Sequence, residues 1–269
     1  MKDISNIDYS ALDRPEILNY VFYPRRELGP SGSDTGINEI LIPVEQDVRI
    51  GSRFYITTQS APIILLFHGN GEIVANYHDL GLVYNQTGLN FWAVDYRGYG
   101  RSSGQATCTT MMRDCHVIFD FVQNWLKEHS YSGALIVMGR SLGSASALEL
   151  AANYQNQIDG LIIESGFAYT TPLLRLLGVN VDGLGLTEEK GLRNLEYMRA
   201  YNNPTLIIHA ERDHIIPFAE GQALYNACPA TDKTLLTIPN ANHNDIFQHG
   251  MSEYMAAMKT LADKVGRQL

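Results

Sequence analysis

Ser141 occupies the centre of residues 139–143 (GRSLG), between an apolar run at residues 135–138 and a helical pattern of small residues. A strand that enters a tight turn and leaves as a helix is typical of the position where a nucleophilic serine is held. Glycines are expected on both sides, because so tight a turn brings other backbone too close for a side chain. We therefore predict that Ser141 is a nucleophile at the end of a strand.

A second match to the same pattern surrounds Ser102, at residues 100–104 (GRSSG). It follows a polar loop, residues 95–99, and precedes Gln105, so no strand leads directly into it and no helix directly leaves it. The context required of a nucleophile is therefore missing. We predict that this copy forms a structural loop.

A serine hydroxyl needs a histidine to accept its proton, and that histidine needs an acid to fix its tautomer and stabilise its cation. In α/β sheets that hold a serine on such a strand-to-helix turn, the order along the chain is serine, acid, histidine, and each residue lies on the loop after a strand. Asp213 follows the apolar run at residues 205–208, and His243 follows Lys233–Ile238. The pair therefore completes a candidate catalytic triad with Ser141.

Other residues compete for these roles. Glu211 is a rival carboxylate two residues before Asp213, which could instead only cap the turn towards Pro217. His249 also follows the last strand, but we expect it to lie within the closing helix. His209 and His214 are expected to be structural or to line a pocket, and His68 to anchor its own loop.

An oxyanion formed by attack on a carbonyl requires two preformed hydrogen-bond donors. The backbone N–H of Leu142, at the start of the helix after Ser141, is the first candidate, and the helix dipole favours negative charge there. The second is the N–H of Asn70, because Gly69 and Gly71 allow that loop to turn inward. Residues 68–71 could alternatively be an ordinary glycine turn.

The elements that position these residues alternate between strands and helices. Buried strands read as apolar runs at residues 62–67, 90–94, 135–138, 160–163, 205–208 and 233–238, and helices are predicted at residues 74–86, 109–127 and 245–266. Residues 39–57 predict an antiparallel pair at one edge. The pattern indicates an α/β fold with a doubly wound, mostly parallel sheet.

Composition excludes several classes of function. The chain has 269 residues and a net charge of −9, without a basic cluster interleaved with aromatic residues, so nucleic acid is not an expected partner. The three cysteines show neither disulfide nor zinc spacing, and neither a metal nor a cofactor is expected. No signal sequence or membrane span is visible, which predicts a cytoplasmic protein.

The motifs together resemble the α/β-hydrolase superfamily. The resemblance rests on residues 68–71 (HGNG), 95–104 (DYRGYGRSSG), 139–143, 209–217 and 242–245 (NHND), and covers about residues 40–265. Within the superfamily, the motifs resemble those of the single-domain hydrolases that include protein depalmitoylases and serine-aminopeptidase-like enzymes. This resemblance implies the triad Ser141, Asp213 and His243, with Asn70 and Leu142 as oxyanion donors. The cysteine-rich N-terminus of the membrane-anchored depalmitoylases is absent.

The N-terminal region and the segment after the strand at residues 160–163 carry no catalytic motif. Residues 1–38 are expected to form an N-terminal arm packed on a hydrolase domain of residues 39–269, in which residues 166–203 are a short helical cap rich in leucine. A leucine-rich cap over the site would bury an acyl chain, which favours short to medium acyl esters or thioesters as small-molecule substrates. The alternatives are an aminopeptidase, for which Glu164, Glu188 and Glu189 could bind the amine, and a non-catalytic binding module.

Overall fold

The central feature of the computed structural model, which describes residues 2–28 and 36–266, is one eight-stranded sheet. Its strands, in chain order, are β1 (Ile37–Glu45), β2 (Val48–Tyr55), β3 (Ile63–Phe67), β4 (Asn90–Val94), β5 (Leu135–Arg140), β6 (Gly160–Glu164), β7 (Thr205–Ala210) and β8 (Lys233–Ile238). They lie in the order β1-β2-β4-β3-β5-β6-β7-β8. All neighbours from β4 to β8 are parallel, whereas β2 is antiparallel to both β1 and β4. The predicted mostly parallel α/β sheet and its antiparallel edge are therefore confirmed.

Helices lie before, between and after the strands and cover both faces of the sheet. They are α1 (Pro15–Val21), α2 (His78–Gln86), α3 (Cys108–Glu128), α4 (Gly143–Asn153), α5 (Thr170–Leu176), α6 (Asn194–Ala200), α7 (Phe218–Ala227) and α8 (Ile246–Gly266). The predicted helix at residues 74–86 is divided into a 3₁₀ turn, Val74–Tyr77, and α2. None of the helices that the structure describes combines the length and the hydropathy that a membrane span requires.

Each core strand is apolar because both of its faces are covered. All residues of β3, β4, β5, β6 and β7 are buried, so these strands show continuous hydrophobic runs rather than alternation. The two faces form separate apolar clusters, one under α3 and α4 and the other under α2 and α8. The carboxyl ends of the parallel strands meet at one edge of the sheet, where the loops carry the residues of interest.

The N-terminal arm, defined here as described residues 2–28, packs on the sheet domain through a short helix. Pro15 begins α1, a position at which its missing N–H costs nothing. Ile17 and Leu12 are buried in the main apolar cluster. Strand β1 begins at Ile37, two residues before the expected start of the domain. Residues 1, 29–35 and 267–269 of the expected boundaries lie outside the described residues.

The segment between β6 and β7 forms two short helices, α5 and α6, joined by a turn at Glu188–Lys190. Glu188 holds the start of α5, since its carboxylate accepts the N–H groups of Thr170 and Thr171 at 2.6 and 2.9 Å. Val179, Val181 and other apolar residues of the segment are buried against the domain. The insertion is therefore a packed helical layer above the carboxyl edge of the sheet.

Candidate active site

Ser141 lies on a strained turn between β5 and α4. Its φ is +51°, a left-handed conformation that is uncommon for a residue with a side chain. A Cβ at Gly143 would lie 2.0 Å from the carbonyl oxygen of Phe67, and one at Gly139 would lie 2.4 Å from the carbonyl oxygen of Gly143. The glycines of the pentapeptide are thus required by backbone crowding, as the sequence indicates.

The structure brings Ser141, His243 and Asp213 into one hydrogen-bonded chain. The Ser141 hydroxyl lies 3.1 Å from Nε2 of His243, which can accept its proton. On the other side of the ring, Nδ1–H donates to Oδ2 of Asp213 at 2.7 Å. All three side chains are largely buried, with exposed fractions of 9%, 4% and 7% respectively. This arrangement has the geometry that a serine nucleophile, a base and an orienting acid require.

Asp213 is held in its ionised form by its surroundings. Burial acts to raise its pKa, but the hydrogen bond and charge of His243 outweigh that effect, and the net shift is a lowering. The N–H groups of Ile215 and Ile216 contribute to the lowering, since they donate to Oδ1 at 3.0 and 2.8 Å. The carboxylate therefore keeps both oxygens engaged, one of them on the imidazole.

The rival residues have other partners. Glu211 accepts the backbone N–H of Asn240 at 2.8 Å, and His249 lies exposed within α8. The hydroxyl of Ser102 is buried and accepts the N–H of Gly51 at 2.8 Å. Ser102 therefore links its loop to strand β2. His209 donates from Nε2 to the carbonyl oxygen of Ile216 at 2.8 Å, in the loop that carries Asp213.

Asn70 and Leu142 lie beside Ser141 in the wall of one cavity. Among the described residues, neither backbone N–H donates to a protein acceptor. The side chain of Asn70 is fixed, since its Oδ1 accepts the N–H of Tyr23 and the hydroxyl of Tyr99, both at 2.7 Å. Leu142 directly precedes α4, where the helix dipole favours negative charge. Both N–H groups are therefore available to a ligand oxygen.

Arg140 joins the loops around the site, a role that the sequence does not reveal. Its Nε donates to Glu164 at 3.0 Å, one Nη contacts the carboxylate of Glu72, and the other donates to the backbone carbonyl of His243 at 2.8 Å. Glu72 in turn accepts the N–H of Gly69 at 2.7 Å, in the loop before Asn70. A charged residue at the end of an otherwise apolar strand is the one sequence signal that could have drawn attention to this network.

A cavity of about 400 Å³ opens beside Ser141 and His243. Much of its wall is aliphatic, and the N-terminal arm and the cap supply six of the aliphatic side chains: Leu12, Ile17, Val21, Leu173, Leu174 and Leu177. The arm residues were not expected at the site, because residues 1–38 carry no motif. A second cavity of about 450 Å³ shares Glu72, Arg140, His243 and Asn244 with the first and extends towards α2 and α8.

This site carries the groups for nucleophilic acyl transfer. That chemistry needs a serine hydroxyl beside a proton acceptor and two N–H groups for an oxyanion. The side chains of Ser141 and His243 and the N–H groups of Asn70 and Leu142 lie within this one site. Within residues 2–28 and 36–266, no group of three or more His, Cys, Asp or Glu side chains is arranged to hold a metal ion.

Comparison with known proteins identifies the family of this chain. The protein-family model described as serine aminopeptidase, S33, matches residues 58–181 and 190–249 of this chain. Protein bem46 of Schizosaccharomyces pombe is 26% identical over 193 residues, which are 70% of this chain and 63% of that protein. The lysophosphatidylserine lipase ABHD12 of Xenopus tropicalis is 31% identical, over 65% of this chain and 49% of that protein.

The chain thus spans about half to two thirds of the length of these relatives. Among solved structures, the esterase Pf2001 of Pyrococcus furiosus superposes with a TM-score of 0.68 at 19% identity, covering 90% of this chain and 98% of that one. Because the family model matches more than half of the residues, the chain belongs to the serine aminopeptidase S33 family, within the α/β-hydrolase superfamily.

Proposed function

We propose that this protein is a serine hydrolase that cleaves carboxylic esters or thioesters through an acyl-enzyme on Ser141. The observation that carries the proposal is the hydrogen-bonded chain Ser141–His243–Asp213, which opens on an aliphatic cavity. The proposal uses the site residues that the sequence predicts. A linear acyl chain gains roughly 0.8 kcal/mol for each CH₂ that such a cavity buries.

In the proposed reaction the Ser141 oxygen attacks the acyl carbon as its proton passes to Nε2 of His243. The N–H groups of Asn70 and Leu142 bind the resulting oxyanion, and Asp213 stabilises the imidazolium. Collapse of the tetrahedral species expels the alcohol or thiol, which takes the proton from His243. Water then attacks the acyl-enzyme by the same sequence, releasing the carboxylic acid and restoring the serine.

The structure favours an acyl substrate over an aminopeptidase substrate. A free amine would need an uncommitted carboxylate near Ser141, whereas Glu164 is bound by Arg140 and by the hydroxyl of Tyr254. Glu188 is bound at the start of α5, and Glu189 does not line the cavity beside Ser141. The name of one relative, a lysophosphatidylserine lipase, agrees with an acyl ester substrate.

The first test is covalent labelling with a fluorophosphonate probe. We expect the folded protein to be labelled on Ser141, and the Ser141→Ala variant to lose both the label and roughly 10⁴- to 10⁶-fold of its ester hydrolysis. Ser102→Ala is the matched control and should keep both. A folded protein that takes no label would support the non-catalytic binding module instead.

The second test is a substrate panel of nitrophenyl esters from acetyl to octanoyl beside proline and alanine nitroanilides. The apolar cavity predicts that kcat/KM rises from acetyl to butyryl and hexanoyl esters and is far lower for the anilides. Faster cleavage of the anilides would favour the aminopeptidase alternative.

A further inference from the structure

The N-terminal arm forms part of the cavity wall, although it lies outside the family match. The family model begins at residue 58, whereas Leu12, Ile17, Tyr20 and Val21 all line the cavity beside Ser141. The cavity wall thus includes residues that the family model does not match.

The arm is held in place from three sides of the site. Thr109, at the start of α3, accepts the N–H of Tyr9 at 2.9 Å, and its own N–H donates to Asp13 at 3.1 Å. Arg14 donates to the carbonyl oxygen of Leu184 in the cap at 3.2 Å. The N–H of Tyr23 donates to the side chain of Asn70. The wall is thus tied to α3, the cap and the loop of the proposed oxyanion donor.

The arm residues differ in their depth at the cavity. The side chains of Ile17 and Leu12 are 0% and 2% exposed, so they are fully enclosed by the protein, whereas Val21 keeps 8% of its surface exposed. The cap supplies Leu173 and Leu177 to the same cavity. Side chains on α1 and α5 together therefore bound the space into which an acyl chain on Ser141 would extend.

We propose that α1 of the N-terminal arm sets the acyl-chain length that this enzyme accepts, with Val21 and Ile17 as specificity-determining residues for medium acyl chains. The inference rests on the proposed function, since it assumes an acyl group on Ser141. A larger side chain at Val21 shortens the available space, and a smaller one at Ile17 lengthens it.

The first experiment compares Val21→Phe with Asn19→Phe, an exposed position on the same helix. For Val21→Phe we expect kcat/KM for the hexanoyl nitrophenyl ester, relative to the acetyl ester, to fall at least roughly tenfold. Acetyl hydrolysis should persist, and Asn19→Phe should keep the wild-type ratio. A Val21→Phe variant that lowers all esters by the same factor would overturn the proposal.

The second experiment needs no bulky substitution and compares Ile17→Ala with Leu18→Ala. Leu18 is a partly buried residue on the same helix that does not line the cavity, so it controls for the truncation of an apolar side chain on α1. Ile17→Ala should shift the preferred ester towards longer chains, from hexanoyl to octanoyl or decanoyl. An identical chain-length profile in the two folded variants would contradict the role of α1.

Different results would overturn the proposed function and the role of α1. If no ester is cleaved by the wild-type chain, or if cleavage survives in Ser141→Ala, the proposed function is wrong and the inference falls with it. If Ser141-dependent cleavage is found but the profiles of Val21→Phe and Ile17→Ala match those of their controls, the function stands and only the inference is overturned.

Discussion

Arg140 controls the relative position of two loops that the proposed mechanism needs. Its planar guanidinium contacts Glu72, Glu164 and the carbonyl oxygen of His243 from one buried site. Three nitrogens in a rigid plane match these acceptors better than the single ammonium nitrogen of a lysine would. We therefore predict that Arg140→Lys lowers kcat by roughly 10- to 100-fold, because the His243 loop shifts relative to Ser141. The measurement is steady-state kinetics on a butyryl ester.

The control for this prediction is Arg97→Lys. Arg97 is also a buried arginine, paired with Asp114 at 2.6 Å, but it lines neither cavity beside His243. We expect it to change stability without changing kcat. A positioning role for Arg140 further requires that KM stays within roughly threefold of the wild-type value. Equal losses of kcat in both variants would show that disruption of any buried ion pair is sufficient.

Asp213 offers a second test on a single residue. Because its pKa is lowered by His243 and by backbone N–H groups, it stays ionised throughout neutral pH and fixes the proton on Nδ1. An amide at this position can present N–H to Nδ1 and favour the wrong tautomer. Asp213→Asn should therefore lower kcat by about 10⁴-fold. Glu211→Gln, two residues away, should retain wild-type kinetics.

Helices α3 and α4 are joined by a buried hydrogen bond between a histidine and a glutamate. Oε1 of Glu149 on α4 accepts Nε2–H of His116 on α3 at 3.0 Å. Burial acts to raise the pKa of Glu149, but hydrogen bonds from His116 and Tyr197 and the charge of Lys2 lower it to about 2. The ionised carboxylate is thus favoured in the folded state.

The pH dependence of stability follows from that shift. A carboxyl whose pKa falls from 4.5 to about 2 on folding stabilises the protein above pH 4.5, and this contribution is lost as the pH falls towards 2. Glu149→Gln should lower the free energy of unfolding by up to about 3 kcal/mol at pH 7 and by roughly half as much at pH 3. Urea denaturation at both pH values measures the difference.

The exposed Glu253 on α8 provides the control for Glu149. Its change to Gln should alter the free energy of unfolding by less than roughly 0.5 kcal/mol at either pH. A Glu149→Gln effect that did not decrease towards acid pH would mean that packing, not charge, accounts for the loss.

The sequence predicts the elements best where burial dictates composition. Strand Asn90–Val94 is fully buried and has the predicted bounds, because turn residues limit its apolar run. By contrast, α1 has only seven residues, too few for a helical periodicity to be visible, and its conformation depends on packing against the rest of the chain. The same limit hides the arm's contribution to the cavity.

The candidate site shows the same division. Ser141, Asp213 and His243 can be identified from the sequence because each follows a recognisable strand, and their order along the chain is fixed by the fold. The partners of Arg140 cannot, since they lie 68, 24 and 103 residues away and nothing in their local sequence points to an arginine. Contacts between distant loops depend on the loops' three-dimensional paths, which local patterns do not encode.

The charge of the protein bears on which leaving group the substrate carries. The net charge is −9, and in the described part of the chain Arg140 is the one cation that lines either cavity beside His243. Its guanidinium is already bound by Glu72 and Glu164. The second cavity adds Asp79 to these carboxylates. An anionic leaving group would therefore meet a negative surface without an uncommitted cation at the site.

We accordingly predict that butyryl esters of a cationic or neutral alcohol are cleaved faster than the butyryl ester of a phosphorylated alcohol of similar size. At low ionic strength kcat/KM should differ by roughly tenfold, because the field of the protein lowers the local concentration of the anion. The difference should shrink at 0.5 M salt, since screening then acts over roughly 4 Å. Preferential cleavage of the anionic ester would instead point to Arg25, whose guanidinium lies 2.9 Å from the carbonyl oxygen of Gly71, and Arg25→Gln would then abolish that preference.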